Sequence, residues 1–275
     1  MKILITGGAG FIGSHLAEAC LERGDEVHIL DDLSTGTLDN IKHLQEHKAR
    51  LVVVKGTVLD EKKMLKLVKT CDVVFHLAAA VGVRYILDNP LSSIITNVRG
   101  TETVLELCNK FKKKVLIAST SEVYGKQNHA PLRETDDCIY GPSTKSRWSY
   151  AATKLMDEFT ALAYHRVKKL PVVIVRLFNT VGRRQTGRYG MVIPRFVKQA
   201  INNKPITVYG EGTQTRTFTH VSDVVEVLMR LIDTRAAVGE VVNIGGTEEV
   251  SIMNLPRRIK KKARRSSEIR HIPYN

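Results

Sequence analysis

The stretch that decides the fold is Lys2-Ile-Leu-Ile-Thr6, followed directly by Gly7-Gly8-Ala9-Gly10-Phe11-Ile12-Gly13. The aliphatic run predicts a buried strand, and the glycines predict a tight turn that opens a helix. Glycine in such a turn lets the backbone approach a pyrophosphate and lets the helix pack closely on the strand. The free amides at the helix start then point at the phosphates. The segment therefore predicts a dinucleotide site at the end of the first strand.

The alternation of short apolar runs with helical patterns continues through the first two thirds of the chain. It predicts an α/β protein with a Rossmann-type, doubly wound parallel sheet covered by helices. The predicted strands are 2–6, 26–30, 51–55, 73–77, 115–118 and 172–176, and the predicted helices are 12–23, 60–69, 93–110 and 149–168. The nearly continuous apolar runs at 51–54 and 172–175 predict strands that are buried on both faces.

The character of the sequence changes after Arg176. An arginine- and glycine-rich loop is predicted at 182–190, followed by a helix at 192–202, a strand at 206–209 and a helix at 222–233. We therefore expect an NAD-binding domain over 1–176 and a mainly substrate-binding lobe over 177–275, from which some segments return to the first domain. We expect the lobe over the carboxyl edge of the sheet, where open parallel sheets bind ligands.

The composition is ordinary for a globular protein, with 43% hydrophobic and 25% charged residues. No apolar run reaches the roughly 18–20 residues of a membrane helix, and no cleavage site follows the first apolar residues. We therefore expect a cytoplasmic protein with no membrane partner. The scattered Cys20, Cys71, Cys108 and Cys138 lack zinc-binding spacing, so reduced thiols and no metal site are expected.

The formal net charge is +14, and much of it lies in the run 257–265. A basic surface can bind nucleic acid, form the solvated face of helices, or attract an anionic substrate. No interleaved aromatic residues and no nucleic-acid-binding motif accompany the run. We therefore favour a solvated helix face and do not expect nucleic acid as a partner.

Residues at other predicted strand ends suit a dinucleotide. Asp31, at the end of the second strand, can accept hydrogen bonds from the adenosine ribose, and its charge would repel a 2′-phosphate, which favours NAD over NADP. Asp32 is the alternative ribose ligand, or it caps a turn. The small residues of Ala78-Ala79-Ala80 permit close approach of a dinucleotide or serve helix–strand packing. Asn97 hydrogen-bonds backbone beside the cofactor or caps a helix.

Tyr150 and Lys154 are four residues apart in a predicted helix, so their side chains share one face. A free tyrosine has a pKa of about 10 and is a poor base at neutral pH. A nearby ammonium and an oxidised nicotinamide favour the phenolate, which can then take a hydroxyl proton while hydride leaves the same carbon for NAD. Thr120, in a hydroxyl-rich segment that we expect after the fifth strand, can hydrogen-bond the reacting oxygen. Glu122 is an acid/base, a substrate-positioning group or a structural residue.

Five segments together resemble the extended short-chain dehydrogenases/reductases of the NAD-dependent epimerase/dehydratase family. They are 6–14, 31–36, 76–79, the pair Tyr150 and Lys154, and 176–179. The resemblance extends over nearly the whole chain. It implies a nucleotide-sugar substrate and a catalytic set of Thr120, Tyr150 and Lys154, with Glu122 beside them. It also implies a homodimer built through the helices at 93–110 and 149–168, although their apolar faces can equally pack within one subunit.

The resemblance also extends the set of ligand-binding residues. The expected NAD-binding residues are Gly7, Gly10, Phe11, Ile12, Gly13, Asp31, Asp32, Ser34, Thr35, Gly36, Thr57, Val58, Leu77, Ala78, Ala79, Asn97, Tyr150 and Lys154. The expected substrate-binding residues are Val81, Thr120, Ser121, Glu122, Asn179, Arg184, Val192 and Arg216.

Two segments narrow the expected reaction. Residues 118–125 resemble the UDP-glucuronate decarboxylase branch, in which a glutamate at the place of Glu122 is implicated near the sugar carboxylate, whereas residues 178–190 resemble bacterial and archaeal epimerases. Arg183, Arg184 and Arg188 suit either an anionic uronate or a diphosphate.

The primary hypothesis is an NAD-dependent 4-epimerase that acts on a UDP-hexose such as UDP-glucose, or on a UDP-uronate, through a 4-keto intermediate. The alternatives are a UDP-glucuronate decarboxylase that forms UDP-xylose and a sugar-nucleotide 4,6-dehydratase. A non-enzymatic NAD-sensing or nucleic-acid-binding relative is a further alternative, against which the intact Thr120, Tyr150 and Lys154 argue.

Three departures from the family pattern affect these expectations. Thr57 stands where the family commonly has an aspartate that contacts adenine, which puts one adenine contact in doubt. Arg183 replaces a proline, which can loosen a substrate loop. The chain ends soon after Pro273, which is short for the family, so the substrate lobe is expected to lack part of its usual length.

Overall fold

The computed structural model describes residues 1–187 and 191–273, and it divides into two compact units. The first unit comprises Met1–Leu177 and Val221–Ile244, and the second comprises the other described residues. Arg188, named above as a candidate cation, lies outside the described residues.

The elements follow one another in the order predicted for the first two thirds of the chain. The strands are β1 (Lys2–Thr6), β2 (Glu26–Asp31), β3 (Leu51–Lys55), β4 (Val73–His76), β5 (Lys114–Thr120), β6 (Val172–Leu177), β7 (Thr180–Val181), β8 (Ile206–Tyr209), β9 (Thr215–Thr217), β10 (Thr219–His220), β11 (Val241–Ile244), β12 (Glu249–Ser251) and β13 (Ile269–Ile272). The α-helices are α1 (Phe11–Glu22), α2 (Glu61–Thr70), α3 (Val83–Asp88), α4 (Pro90–Phe111), α5 (Ser149–Lys168), α6 (Val192–Ile201), α7 (Val221–Asp233) and α8 (Asn254–Ala263).

The first unit is built on a seven-stranded sheet with the order β11-β6-β5-β4-β1-β2-β3, in which all neighbouring strands are parallel. The chain runs outward from β1 to β3 and then crosses to β4 on the other side of β1. This reversal creates the crevice at the carboxyl ends of β1 and β4 in which doubly wound sheets bind ligands. The predicted Rossmann-type fold class is confirmed.

The central strands alternate their side chains between two apolar layers. Ile3 and Ile5 of β1 join the cluster that includes α1 and α7, whereas Leu4 joins the cluster that includes α2, α4 and α5. Strand β6 divides in the same way, and residues 172–175 are fully buried. Both faces of the sheet are therefore covered, as its apolar central strands require.

The prediction that residues 51–54 form a strand buried on both faces is wrong. Val52 and Val53 are 41% and 36% exposed because β3 is an edge strand that pairs only with β2. The predicted end of the fifth strand is also wrong, because β5 continues through Ser119 and Thr120. Thr120 therefore closes the strand instead of following it.

The second unit has its own apolar core and three small strand pairs. Strands β7 and β10 pair in parallel, as do β8 and β13, while β9 and β12 pair antiparallel. Phe196 and Ala200 of α6 pack with Leu255 of α8 and with Ile206 and Val208 of β8. The predicted helix at 192–202 and strand at 206–209 are confirmed to within one residue.

The basic run 257–265 lies on α8 and its C-terminal cap. Leu255 and Pro256 are buried, while Arg257, Arg258 and Lys261 are exposed. The run is thus the solvated face of an amphipathic helix, as predicted. In the described part of the chain, no helix has the length and apolarity to span a bilayer, and no cluster of His, Cys, Asp and Glu could hold a metal ion. The four cysteines are free thiols.

Candidate active site

The turn after β1 is shaped by glycines that no larger residue fits. Gly7 has a φ of +74°, and a Cβ on it would lie 2.9 Å from the amide nitrogen of Ala78 after β4. A Cβ on Gly13 would overlap the carbonyl oxygen of Gly7. Gly10 is the N-cap of α1 and has no side chain to accept a hydrogen bond. The free amides at the start of α1 therefore face the glycine turn. This cradle suits a pyrophosphate, with Phe11 and Ile12 among the amide donors.

Asp31 fastens the loop after β2 to the glycine turn. Its Oδ2 accepts a hydrogen bond from the Ala9 amide at 2.9 Å, and its Oδ1 accepts one from the Leu33 amide at 2.8 Å. Burial raises the pKa of Asp31, and these backbone hydrogen bonds oppose the shift. Asp32 is exposed and accepts the Ser34 amide at 2.9 Å, so it caps the turn. Asp31 is therefore the carboxylate that the fold holds at the crevice.

The remaining residues of this loop and of the next strand end differ in accessibility. A Cβ on Gly36 would lie 3.0 Å from Asp31 Oδ1, which places this glycine beside the carboxylate, and the neighbouring Thr35 is half-buried. Thr57 is half-buried, and its Oγ1 accepts the Leu59 amide at 3.3 Å. Val58 is only 3% exposed. The Val58 side chain therefore belongs to the core, so only its backbone is available to a ligand.

The segment after β4 is held against both the first strand and α4. The Leu77 amide donates to the Thr6 carbonyl at 3.1 Å, and the Ala80 amide donates to Asn97 Oδ1 at 2.7 Å. Asn97 Nδ2 donates to Thr153 Oγ1 on α5 at 3.2 Å. Because Asn97 lies in the interior of α4, its alternative interpretation as a helix cap is wrong. Its contacts shape the backbone that follows β4, where Ala78 and Ala79 are half-buried.

Thr120, Tyr150 and Glu122 form one cluster. Thr120 Oγ1 accepts the Glu122 amide at 3.2 Å, and its side chain also hydrogen-bonds with Tyr150. Burial raises the pKa of Tyr150, as do the negative charges of Glu122 and Asp157, while the hydrogen bond with Thr120 lowers it. The expectation that Lys154 and an oxidised nicotinamide together favour the phenolate stays a prediction, since burial and the two carboxylates act against the phenolate in the polypeptide alone.

Lys154 is buried in a contact that the sequence analysis missed. Its Nζ donates to Asp157 Oδ2 at 2.7 Å, and the two side chains are 2% and 1% exposed. The available signal was the i, i+3 spacing on α5, which places Asp157 beside Lys154. A second buried pair joins Glu158 to Arg176 at 2.8 Å, and Ser119 also donates to Glu158. Arg176 belongs to the segment 176–179 of the family resemblance, and its ion pair with Glu158 gives it a structural role.

Glu122 is exposed, yet enough protein surrounds its carboxyl group for desolvation to raise its pKa. The positive charge of Arg147 opposes that shift. Ser121 begins the 3₁₀ turn Ser121–Tyr124 that carries Glu122, and Val81 is half-buried beyond the end of β4. The first unit thus presents Glu122 to solvent beside Thr120.

The other expected substrate residues belong to the second unit. Asn179 is exposed, and its Nδ2 donates to the Thr217 carbonyl at 3.0 Å. Arg216 is exposed and donates to the Thr215 carbonyl at 2.7 Å. Two further residues complete this set: half-buried Arg184, which has a φ of +66°, and half-buried Val192, which begins α6.

His76 is a buried imidazole between β1 and α4. Its Nδ1 lies 2.8 Å from Thr6 Oγ1 and its Nε2 lies 3.1 Å from Thr101 Oγ1. Burial, followed by the charge of Lys154, lowers the pKa of His76 to about 3. His76 is therefore neutral at physiological pH.

This shift predicts a loss of stability in mild acid. The unfolded chain binds the His76 proton near its ordinary pKa of 6.5, whereas the folded chain binds it only near about 3, so the free energy of unfolding falls as pH drops through this window. The expected slope is about 1.4 kcal/mol per pH unit. Urea unfolding at about pH 7 and about pH 5 measures it. His76→Gln should reduce the slope; equal slopes in the wild type and His76→Gln would contradict this origin.

A doubly wound parallel sheet with a glycine cradle, a hydrogen-bonded Thr-Tyr pair and a buried lysine four residues after the tyrosine defines a dinucleotide-dependent enzyme. The chain belongs to the NAD-dependent epimerase/dehydratase family, whose sequence profile matches residues 3–245. The resemblance noted from the sequence and the NAD cofactor are thereby confirmed. The observed cradle fits this cofactor, since the tight turn that directs the helix amides at a pyrophosphate exists only without Cβ atoms at Gly7 and Gly13, which would meet neighbouring backbone, and Asp31 lies at the end of β2, where the adenosine ribose binds in this fold.

Relatives with related activities cover nearly the whole chain. The UDP-N-acetyl-alpha-D-glucosaminuronate decarboxylase of Bacillus cytotoxicus is 44% identical over 274 residues, which are 99% of this chain and 84% of that protein. UDP-glucuronic acid decarboxylase 1 of Arabidopsis thaliana is 36% identical over 99% of this chain, which spans only 61% of the plant protein. The structure of UDP-glucuronic acid 4-epimerase from Bacillus cereus, in complex with UDP-glucuronic acid and NAD, matches with a TM-score of 0.88 and 34% identity, covering 99% of this chain and 86% of that one.

Proposed function

We propose that the protein oxidises C4 of a UDP-linked uronic acid and that the resulting 4-keto sugar loses its carboxyl group as carbon dioxide. The observation that carries the proposal is the cluster of Thr120, Tyr150 and Glu122 next to buried Lys154, at the carboxyl end of β5. Two relatives that span the chain at 44% and 36% identity are decarboxylases of UDP-uronates, which supports the same reaction.

The side chains have separate tasks in this scheme. Tyr150 takes the proton of the 4-hydroxyl group, and Thr120 hydrogen-bonds the same oxygen. The glycine cradle and Asp31 would hold NAD, which would supply a reversible hydride acceptor for C4. Lys154 supplies positive charge beneath the reacting oxygen. Tyr150 finally returns its proton to O4, so the side chain is restored after each turnover.

Loss of carbon dioxide follows from the chemistry of the oxidised sugar. A 4-keto uronate is a β-keto acid, so cleavage of the C5–C6 bond leaves its electron pair in an enolate that the 4-oxygen stabilises. A proton added at C5 then takes the place of the lost carboxyl group. Glu122 is the proposed donor of this proton, since partial desolvation raises its pKa and it lies beside Thr120.

Epimerisation at C4 is the second candidate. It is the primary hypothesis from the sequence, and the similarity of fold to the Bacillus cereus 4-epimerase of UDP-glucuronic acid favours it. Both reactions share the oxidation at C4 and the same roles for Tyr150 and Lys154. They differ in whether the carboxyl group leaves before hydride returns.

We further propose a homodimer as the working assembly. Helices α4 and α5 pack on each other and carry large exposed apolar side chains, with Leu91 at 70%, Met156 at 53% and Phe159 at 60% exposure. Such side chains on two adjacent helices suit burial against a second copy.

The proposed substrate is anionic, and its cationic contacts are proposed to come from Arg184 and Arg216 of the second unit.

The test is product analysis. The protein loaded with NAD is incubated separately with UDP-N-acetylglucosaminuronate, UDP-glucuronate, UDP-galacturonate and UDP-glucose, and products are identified by mass and NMR. The proposal expects carbon dioxide and a UDP-pentose from at least one gluco-configured uronate. Interconversion of UDP-glucuronate and UDP-galacturonate without loss of mass would favour the epimerase, and no conversion of any substrate would contradict both.

A further inference from the structure

A continuous buried chain of polar side chains links the first strand to the catalytic lysine. It runs from Thr6 on β1 through His76 on β4 and Thr101 on α4 to Asp157 and Lys154 on α5. Each of the five residues is 2% exposed or less. A buried polar network of this kind holds its members in one arrangement, because each lost contact would leave a desolvated group.

The directions of these hydrogen bonds follow from donor and acceptor chemistry. Ionised Asp157 only accepts, so Thr101 donates its hydroxyl proton to it and must itself accept from His76 Nε2–H. Neutral His76 then accepts at Nδ1, and Thr6 donates to it while accepting from the Ala78 amide at 3.3 Å. These directions suit a neutral His76, in agreement with its low pKa.

A buried lysine–carboxylate pair is weak evidence for stability, because desolvation of both charges offsets their attraction. Its effect is instead on geometry and charge. The lysine side chain is long and flexible, and one of its three N–H donors goes to Asp157. Since Thr101 hydrogen-bonds this carboxylate from α4, the position of Lys154 Nζ depends on a second helix as well as its own.

We propose that Asp157 is a positioning residue: it holds the Lys154 ammonium in place and offsets part of its charge, so that Tyr150 remains able to act as both base and acid. The inference rests on the role of Tyr150 in the proposed function. A redox-neutral turnover takes a proton from the sugar and later gives it back through the same phenol. A phenolate stabilised too strongly by Lys154 would be a poor acid in the second step.

The charged groups around Tyr150 come from several elements. Glu122 approaches from the turn after β5, and Lys154 and Asp157 lie on α5 with Tyr150 itself. Glu158, also on α5, acts on Asp157, while His76 from β4 is neutral. Among these groups, Glu122 and Asp157 raise the pKa of Tyr150. Replacing Asp157 by its uncharged isostere removes one of these two opposing charges.

The experiment measures the ionisation of Tyr150 directly. Tyrosine labelled with ¹³C at the oxygen-bearing ring carbon is incorporated, the NAD-bound protein is titrated by NMR, and Tyr150→Phe assigns the signal. We expect Asp157→Asn to lower the pKa of Tyr150 by about one unit. Asp157→Glu should restore most of the wild-type value. Asp60→Asn, at an exposed lysine–aspartate pair with the same i, i+3 spacing, should leave it unchanged.

A second pair of variants tests the link to α4 without changing a charge. Thr101→Val removes the hydroxyl that holds Asp157, and Thr101→Ser keeps it. We expect the valine variant to slow turnover about tenfold at a pH where Tyr150 is optimally ionised, and the serine variant to stay within about twofold. Folding of every variant is checked by its thermal unfolding transition. If Asp157→Asn does not fold, the paired Thr101 variants decide: equal turnover of the two would overturn the proposal.

A folded Asp157→Asn protein with an unchanged pKa of Tyr150 would likewise overturn it. The titration needs no sugar nucleotide, so it is separate from the test of the proposed function. A shifted pKa in a protein that converts none of the UDP-sugars would retain the positioning role and reject the proposed reaction.

Discussion

Tyr150→Phe is expected to lower turnover of the UDP-uronate by about 10³-fold while leaving NAD affinity within about twofold. The substitution deletes only the phenolic oxygen, which is the atom that takes and returns the substrate proton. The aromatic ring remains, so the packing around Thr120 and α5 is preserved. Turnover is measured by product formation under saturating substrate, and NAD affinity by calorimetric titration.

The matched control is Tyr164→Phe, which removes a phenolic oxygen about four helical turns further along α5. Tyr164 packs with the apolar cluster beneath the sheet and has no place in the proposed chemistry. Its variant should retain full turnover. Tyr150→Phe with wild-type turnover would show that the proton is handled by another group, and the proposed mechanism would be rejected.

Gly13→Ala is expected to weaken NAD binding at least about 100-fold, since a Cβ at this position would overlap the Gly7 carbonyl oxygen and press on the Gly8 backbone. Either the turn or the start of α1 must move, and both form the pyrophosphate cradle. The free energy of unfolding should fall by about 1–3 kcal/mol, as for other overpacked sites. Calorimetric titration with NAD and urea unfolding give the two values.

Gly187→Ala is the control for this prediction. A Cβ on Gly187 would lie no closer than 3.3 Å to its neighbours, and Gly187 belongs to the second unit. This variant should keep wild-type affinity for NAD. Tight NAD binding by Gly13→Ala would mean that the dinucleotide does not use the turn after β1.

The local signals in the sequence were enough to predict the cofactor side of the fold. Strand β1, the glycine turn and α1 are contiguous, so their pattern contains the whole supersecondary unit. The placement of β3 was different, because an apolar run does not reveal whether a strand lies at the centre or the edge of its sheet. That depends on which strands pair, and β3 pairs only with β2.

The return of the chain to the first unit depends on contacts distant in sequence. The four residues of β11 form too short a run to stand out as a strand, and they complete the sheet only by pairing with β6. Asp157 is a similar case. Its spacing from Lys154 was visible in the sequence, but its burial depends on Thr101 from α4 and on the packing of α4 against α5.

Backbone geometry decided two alternatives that the sequence left open. Asp31 and Asp32 are adjacent acids in sequence, yet only Asp31 turns inward to the Ala9 amide. Asn97 had a cap as its alternative, which its place in the middle of a 22-residue helix excludes. These choices depend on where each helix begins and where each strand ends, which are the least certain features of a sequence-based prediction.

The most direct test of C4 chemistry uses a UDP-uronate labelled with deuterium at C4. The NAD-loaded protein is incubated with a limiting amount of labelled substrate in ordinary water, and the product is analysed by mass and NMR. We predict a product that has lost carbon dioxide and still carries deuterium at C4, because the hydride removed from that carbon returns to it. Unchanged substrate, or a decarboxylated product without deuterium at C4, would contradict the account.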